Sequence, residues 1–228
     1  MRSFPSSRIA SFAMNRHRLP VVYPLRRRTP HVPRLRRPCV LPSSSGCVHL
    51  SVEGGCGGTT WGLQHARDVL EKGMHVVWIC EESPDSNRFS QIFENISPAA
   101  VSKLHLSAVG ENIEIGIESA ISLLGALTNI ALVIVDDWTA KTGRPSADLR
   151  KSMQKLIEVC KDDQVPLLII SSAYEDASGA GWKARGNLKD CEIWFLHRCE
   201  REGRIRELHM NETVNRFTIT DGGFTPRT

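Results

Sequence analysis

The sequence predicts an α/β domain in which a mostly parallel central sheet is flanked by helices and followed by a C-terminal antiparallel meander. Residues 75–80 (HVVWIC), 131–135 (ALVIV) and 165–170 (VPLLII) are continuous apolar runs, as expected of parallel strands covered on both faces. Segments with apolar residues at helical spacing lie between them, giving the alternation of strand and helix that builds βαβ units. The C-terminal segment instead holds three short runs of alternating pattern at 192–197, 205–210 and 217–220, separated by the polar stretches EREG (200–203) and NETVN (211–215), the signature of a meander.

Taken in order, residues 48–52 read as a short strand that enters a glycine-rich turn. A helix follows over 60–72, with Trp61, Leu63, Ala66, Val69 and Leu70 on one face and Gly73 as its stop. After the strand at 75–80, helical spacing is expected at 88–96 and a short strand at 103–107. Ile113, Ile117, Ala120, Ile121 and Leu124 mark a helix over 113–127, and the strand at 131–135 runs into Asp136 and Asp137. A polar loop (139–146) leads to an amphipathic helix at 147–161, carried by Leu149, Met153, Leu156, Ile157 and Cys160. The strand at 165–170 has Pro166 near its beginning, where the missing N–H is tolerated. Residues 174–187 form a long glycine-containing loop.

The glycine-rich turn organises the functional reading. Gly54, Gly55, Gly57 and Gly58 surround Cys56 and precede Thr59 and Thr60. Such a turn brings backbone N–H groups close to an anion, and the N-terminus of the following helix adds free donors and its dipole. The shape is that of a phosphate-binding loop, but it departs from G-x-x-x-x-G-K-[ST]. If Thr59 supplies the magnesium-ligating hydroxyl, Gly58 stands at the lysine and Val52 at the first glycine. A tight strand-to-helix turn without a ligand is the competing reading. Glu81 and Glu82 follow a parallel strand at its carboxyl end, where ligands of open α/β sheets bind; they read either as a water-orienting carboxylate or as solvated loop acids. Asp136, after four aliphatic residues, has the pattern of an acid that holds a magnesium ion's water shell. Trp182 beside Lys183 and Arg185 can stack a base and meet a phosphate, or simply pin a loop.

Charge divides the chain. Residues 1–52 contain ten arginines and no Asp or Glu, while the other nineteen Lys and Arg face all twenty-five acids. Seven of the twelve prolines lie in residues 1–42, a composition that builds no core. Residues 1–46 are therefore expected to be a disordered basic tail, and 47–228 the folded domain. Arg26, Arg27, Arg28, Arg34, Arg36 and Arg37 are the expected phosphate contacts of a polycation without sequence preference. An organellar transit peptide, or an extension upstream of a start at Met14, remains an alternative. The seven cysteines show no CxxC spacing, which argues for a reducing compartment and against both a disulfide framework and a zinc site. No apolar run reaches membrane-spanning length.

The series TTWGLQHA, HVVWICEE, SNRF, ALVIVDD, DLRKSMQKL, VPLLIISSAYED and RFTITDGGF resembles the RecA-like ATPase core of the archaeal RadB recombinase paralogues, within the RecA/KaiC-like P-loop superfamily, across residues 48–224. The resemblance implies a degenerate Walker A loop at residues 54–60 with its lysine replaced by Gly58. It implies that Thr59 and Asp136 serve a magnesium ion, that Glu82 matches the water-activating acid, and that the polar sensor falls on Ser172. A helix-hairpin-helix DNA-binding domain is not found in this N-terminus. Losing the lysine removes charge stabilisation that dominates phosphoryl transfer, so ATP and Mg2+ binding is expected to be weak and hydrolysis weak or absent. The function implied is a recombination and DNA-repair accessory, cytoplasmic in an archaeal setting. Its expected partners are single-stranded or branched DNA, a RecA-like recombinase and further copies of itself, with no membrane. An ATP-binding switch and a non-catalytic scaffold subunit of a RecA-like heteromer are the alternatives.

Overall fold

The computed structural model describes residues 46–139, 143–175, 181–186, 188–199 and 202–227; the arginines expected to contact DNA in the basic segment lie outside them. The chain runs β1 (Cys47–Val52), α1 (Gly58–Leu70), β2 (His75–Cys80), α2 (Ser86–Phe93), α3 (Pro98–Val101), β3 (Leu104–Ala108), α4 (Ile113–Ala126) and β4 (Ile130–Asp136). It continues with α5 (Ala147–Asp162), β5 (Leu167–Ser172), β6 (Tyr174–Glu175), β7 (Trp182–Lys183), β8 (Cys191–Cys199), β9 (Glu202–Met210), β10 (Thr213–Thr220) and β11 (Gly223–Pro226). The main sheet has the order β11-β10-β9-β8-β1-β5-β4-β2-β3. The parallel sheet with flanking helices and antiparallel C-terminal strands is the expected α/β fold.

The apolar runs bury both faces because successive side chains of a strand point to opposite sides. On β2, Val76, Trp78 and Cys80 enter one core with Leu63, Ala66 and Leu70 of α1, while Val77 and Ile79 enter a second with Met153, Leu156 and Ile157 of α5. Trp61, Trp78 and Trp138 are each within 1% of full burial, and each such side chain contributes about 3 kcal/mol of hydrophobic stabilisation.

Four features differ from the expectation. The run at 192–197 belongs to β8, which pairs parallel with β1 and antiparallel with β9, so the sheet changes sense one strand later than a self-contained meander would require. A fourth strand, β11, is added to the C-terminal edge. The loop after β5 carries the β6–β7 hairpin, with Tyr174 opposite Lys183 and Glu175 opposite Trp182. Finally, Cys47 and Cys191 form a disulfide with their Cα atoms 4.5 Å apart, where the cysteine spacing argues for a reducing compartment and against a disulfide framework. They are register partners on adjacent parallel strands, a proximity that spacing along the chain cannot reveal.

The C-terminal strands are fastened over α1. Gln64 Nε2 donates to Phe224 O (3.2 Å) and Gln64 Oε1 accepts from Phe224 N (2.7 Å), while Trp61 meets Phe217 and Phe224 edge-on. Gly223, at φ 101°, lies so close to this amide that an added Cβ would fall 2.4 Å from Gln64 Cδ.

Candidate functional site

The glycine loop connects β1 to α1. Gly55 and Gly57 adopt φ 74° and 95°, values open to glycine at no steric cost. Gly57 caps α1 with no side-chain hydrogen bond, so no cap side chain takes up the first helical N–H groups, which at a helix N-terminus can bind an anion. Glu53 organises the other side: its carboxylate accepts from Arg198 N (2.7 Å) and faces the Cys56 thiol at 3.5 Å. Burial and the Glu53 charge push that thiol's pKa up.

Gly58 is closed to a larger residue. An added Cβ there would lie 2.9 Å from both Ile170 Cγ2 and Val52 Cγ2. These are methyls of β-branched side chains with little χ1 freedom, so the space from which a lysine stem would rise is filled by the ends of β1 and β5.

Thr59, Glu81, Glu82, Asp85, Arg88, Asp136 and Asp137 line a cleft of about 580 Å3 at the carboxyl ends of β2 and β4. Five of these seven are acids, one is arginine and none is lysine. Arg88 is itself engaged, donating to Thr220 O and Asp221 O, each at 3.0 Å. Asp85 caps α2 by accepting from Arg88 N at 2.8 Å.

Asp136 is 5% exposed. Burial first, then the neighbouring Asp137, raises its pKa to about 7, against a hydrogen bond with Thr59 that acts the other way. Its Oδ1 is buried without a hydrogen-bond partner. An orphaned carboxylate oxygen beside a threonine hydroxyl is a donor set for a hard divalent cation, so Thr59 and Asp136 fit Mg2+. Among the described residues that line the cleft there is no lysine.

Sequence reasoning missed Arg198. From β8 its Nη2 donates to Gly54 O (2.9 Å) and its Nε stands 3.7 Å from Glu53 Oε1. It braces the loop's rim and is not among the residues lining the cleft. No local signal marks it, because Glu53 is 145 residues away along the chain.

The remaining expected site residues do not gather at the cleft. Ser172 ends β5. Trp182, on β7, stacks on His197 with ring centroids 6.3 Å apart, and Lys183 stands beside it. Arg185 lies over the Tyr174 ring at 5.3 Å and donates to Gly143 O at 3.3 Å. Beneath the sheet's carboxyl end, His49 bonds Ser171 Oγ (2.8 Å) and faces the Trp138 indole N–H at 3.4 Å. Burial lowers its pKa to about 4.

Among the described residues no helix is long and apolar enough to cross a membrane. No protein-family model matches the chain, and no curated protein matches it. Its coordinates are similar to the crystal structure of the RadB recombinase, with a TM-score of 0.65 and 22% identity over 80% of this chain and 90% of that one. The chain therefore has a RadB-like fold of the RecA kind.

Proposed function

We propose that the chain is a recombination and DNA-repair accessory that binds single-stranded or branched DNA and a RecA-like recombinase, with weak or no ATP hydrolysis. The fold supports the recombination setting, and the observation that carries the reading is Gly58. The methyls of Val52 and Ile170 occupy the space a phosphate-binding lysine needs, and among the described residues the cleft beside it presents five acids and one engaged arginine. Phosphoryl transfer depends on cationic stabilisation of the β- and γ-oxygens. With Mg2+ held by Thr59 and Asp136 as the main positive charge, turnover is slow or nil, and Glu82 has no firmly held phosphate against which to position water.

DNA contact is assigned to the arginine-rich segment, with Trp182, Lys183 and Arg185 as a second contact, and the protein works in the cytosol. The test uses the full chain on single-stranded and branched DNA across a salt series, beside a variant with Arg26, Arg27, Arg28, Arg34, Arg36 and Arg37 replaced by serine. Loss of six phosphate contacts flattens the salt slope by roughly 4 on single strands. An unchanged slope would remove the segment from the binding surface. Co-elution with a RecA-like recombinase is expected to survive that replacement, because it is assigned to the folded domain.

A second reading, an ATP-gated switch, draws on the uncapped N-terminus of α1 and on Thr59 beside Asp136. It differs by requiring tight nucleotide binding.

A further inference from the structure

We propose that His197, Glu207 and His209, on the paired strands β8 and β9, form a binding site for a borderline divalent metal ion of the Zn2+ class. The site is separate from the glycine loop and its cleft. Register creates it: His197 is directly opposite Glu207, and His209 lies two residues further along β9, opposite Phe195. Because side chains alternate across a strand, all three project on the face opposite Leu196 and Leu208, which are buried in the core.

One potential ligand atom from each residue lies within 4.8 Å of the other two. His209 Nε2 is 3.7 Å from Glu207 Oε2, too far for a hydrogen bond. A tetrahedral ion with Zn–N and Zn–O bonds of about 2.0–2.1 Å separates its ligands by roughly 3.4 Å, so the pair already stands near coordinating distance. His209 Nε2 is also buried with no hydrogen-bond partner, although the side chain as a whole is 39% exposed. That nitrogen therefore faces inward, on the side of the Glu207 carboxylate.

The surroundings hold the ligands in place. His197 Nδ1 lies 3.2 Å from Arg198 O; a carbonyl only accepts, so Nδ1 carries the proton and Nε2 the lone pair, a backbone contact of the sort that orients metal-bound imidazoles. Trp182 stacks on the same ring. Arg216 Nε donates to Glu207 Oε1 at 2.9 Å, which fixes that carboxylate with Oε2 on the side of His209 Nε2. The two imidazole centroids are 4.4 Å apart. A shared divalent ion satisfies both rings and the carboxylate at once. Two imidazoles with one carboxylate favour Zn2+ over Mg2+ or Ca2+.

The test strips the full-length protein with a chelator and titrates Zn2+ at pH 7.5 against a chromophoric competitor, with far-UV circular dichroism to confirm folding. His197→Ala, His209→Ala and the near-isosteric Glu207→Gln are each expected to weaken Zn2+ binding at least about tenfold. The same three changes should abolish the rise in melting temperature that Zn2+ gives the unaltered chain. His75 and His105 form a separate imidazole pair at 2.9 Å, so His75→Ala with His105→Ala serves as the control and should leave the affinity unchanged. The proposal is overturned if the unaltered chain fails to compete for Zn2+ at micromolar concentration, or if the His197, Glu207 and His209 variants bind as it does.

Discussion

The cleft at the carboxyl ends of β2 and β4 and the outer face of β8 and β9 each hold a carboxylate largely withdrawn from solvent, Asp136 and Glu207, but in different company. In the cleft, Asp136 is buried beside Asp137, and the nearby arginine donates to backbone carbonyls of the C-terminal strands. Its carboxyl accordingly holds a proton close to neutrality. On the strand pair, burial also works to raise Glu207, yet the hydrogen bond and charge of Arg216, with Cys199 and His197, keep it below its ordinary value. A carboxylate's state is thus decided by whether a cation is committed to it. The same contrast separates an oxygen-only site suited to Mg2+ from an imidazole-containing one suited to Zn2+.

The contrast is broken most directly at Asp136. Between pH 4 and 7 the unfolded chain ionises this group while the folded chain keeps its proton, so its contribution to stability falls as pH rises, by on the order of 4 kcal/mol. His49 and His65 act oppositely. Burial lowers both to about 4, so the stability they lend is complete above pH 6.5 and is lost as pH falls toward 4. Asp136→Asn should then be more stable than the unaltered chain above pH 7 in urea titrations, and should gain stability more steeply between pH 4 and 6.5. Mg2+ should raise the melting temperature of the unaltered chain more at pH 8 than at pH 6, and that of the variant at neither.

The next effect lies at the opposite end of the strands. Cys47 and Cys191 are 144 residues apart in sequence, and opening a disulfide that closes so long a loop costs about 2–4 kcal/mol. Dithiothreitol should lower the urea midpoint of the unaltered chain and leave that of Cys191→Ser in place. Gly58→Lys should cost about 1–3 kcal/mol through overpacking against Val52 and Ile170 and should fail to create tight ATP binding, a result read by chemical denaturation and nucleotide titration together. Arg198→Ala should be the mildest. The pair with Glu53 is half exposed and worth under about 1 kcal/mol, so amide exchange at Gly54 and Gly55 should quicken with little change in the global midpoint.

The parallel half of the fold was legible because both faces of its strands are buried. The run at 75–80 coincides with β2, and that at 131–135 lies inside β4. The run at 165–170 begins before β5, because Pro166 has no N–H to offer the ladder. The antiparallel half was less legible because pairing is a tertiary property. β8 was visible as a strand, but its parallel partner β1 is far away in sequence, and β11 is four residues of GFTP with no period to detect. At the site, the glycines and Asp136 announced themselves by local pattern, whereas Arg198, the closure of Gly58 by Val52 and Ile170, and the Cys47–Cys191 bond exist only once β1, β5 and β8 lie side by side. His-x-Cys at 197–199 and Glu-x-His at 207–209 were a usable signal, since a spacing of two places both residues on one strand face. A CxxC pattern does not detect it.

We propose that the cleft does not hold a triphosphate productively. Titration of the full-length chain with a fluorescent ATP analogue and Mg2+, followed by phosphate release on the same sample, measures this directly. The expected result is binding no tighter than about millimolar, or roughly −4 kcal/mol, with no release above background and no rescue by Gly58→Lys. Micromolar affinity with steady turnover at an ordinary ATPase rate would contradict it.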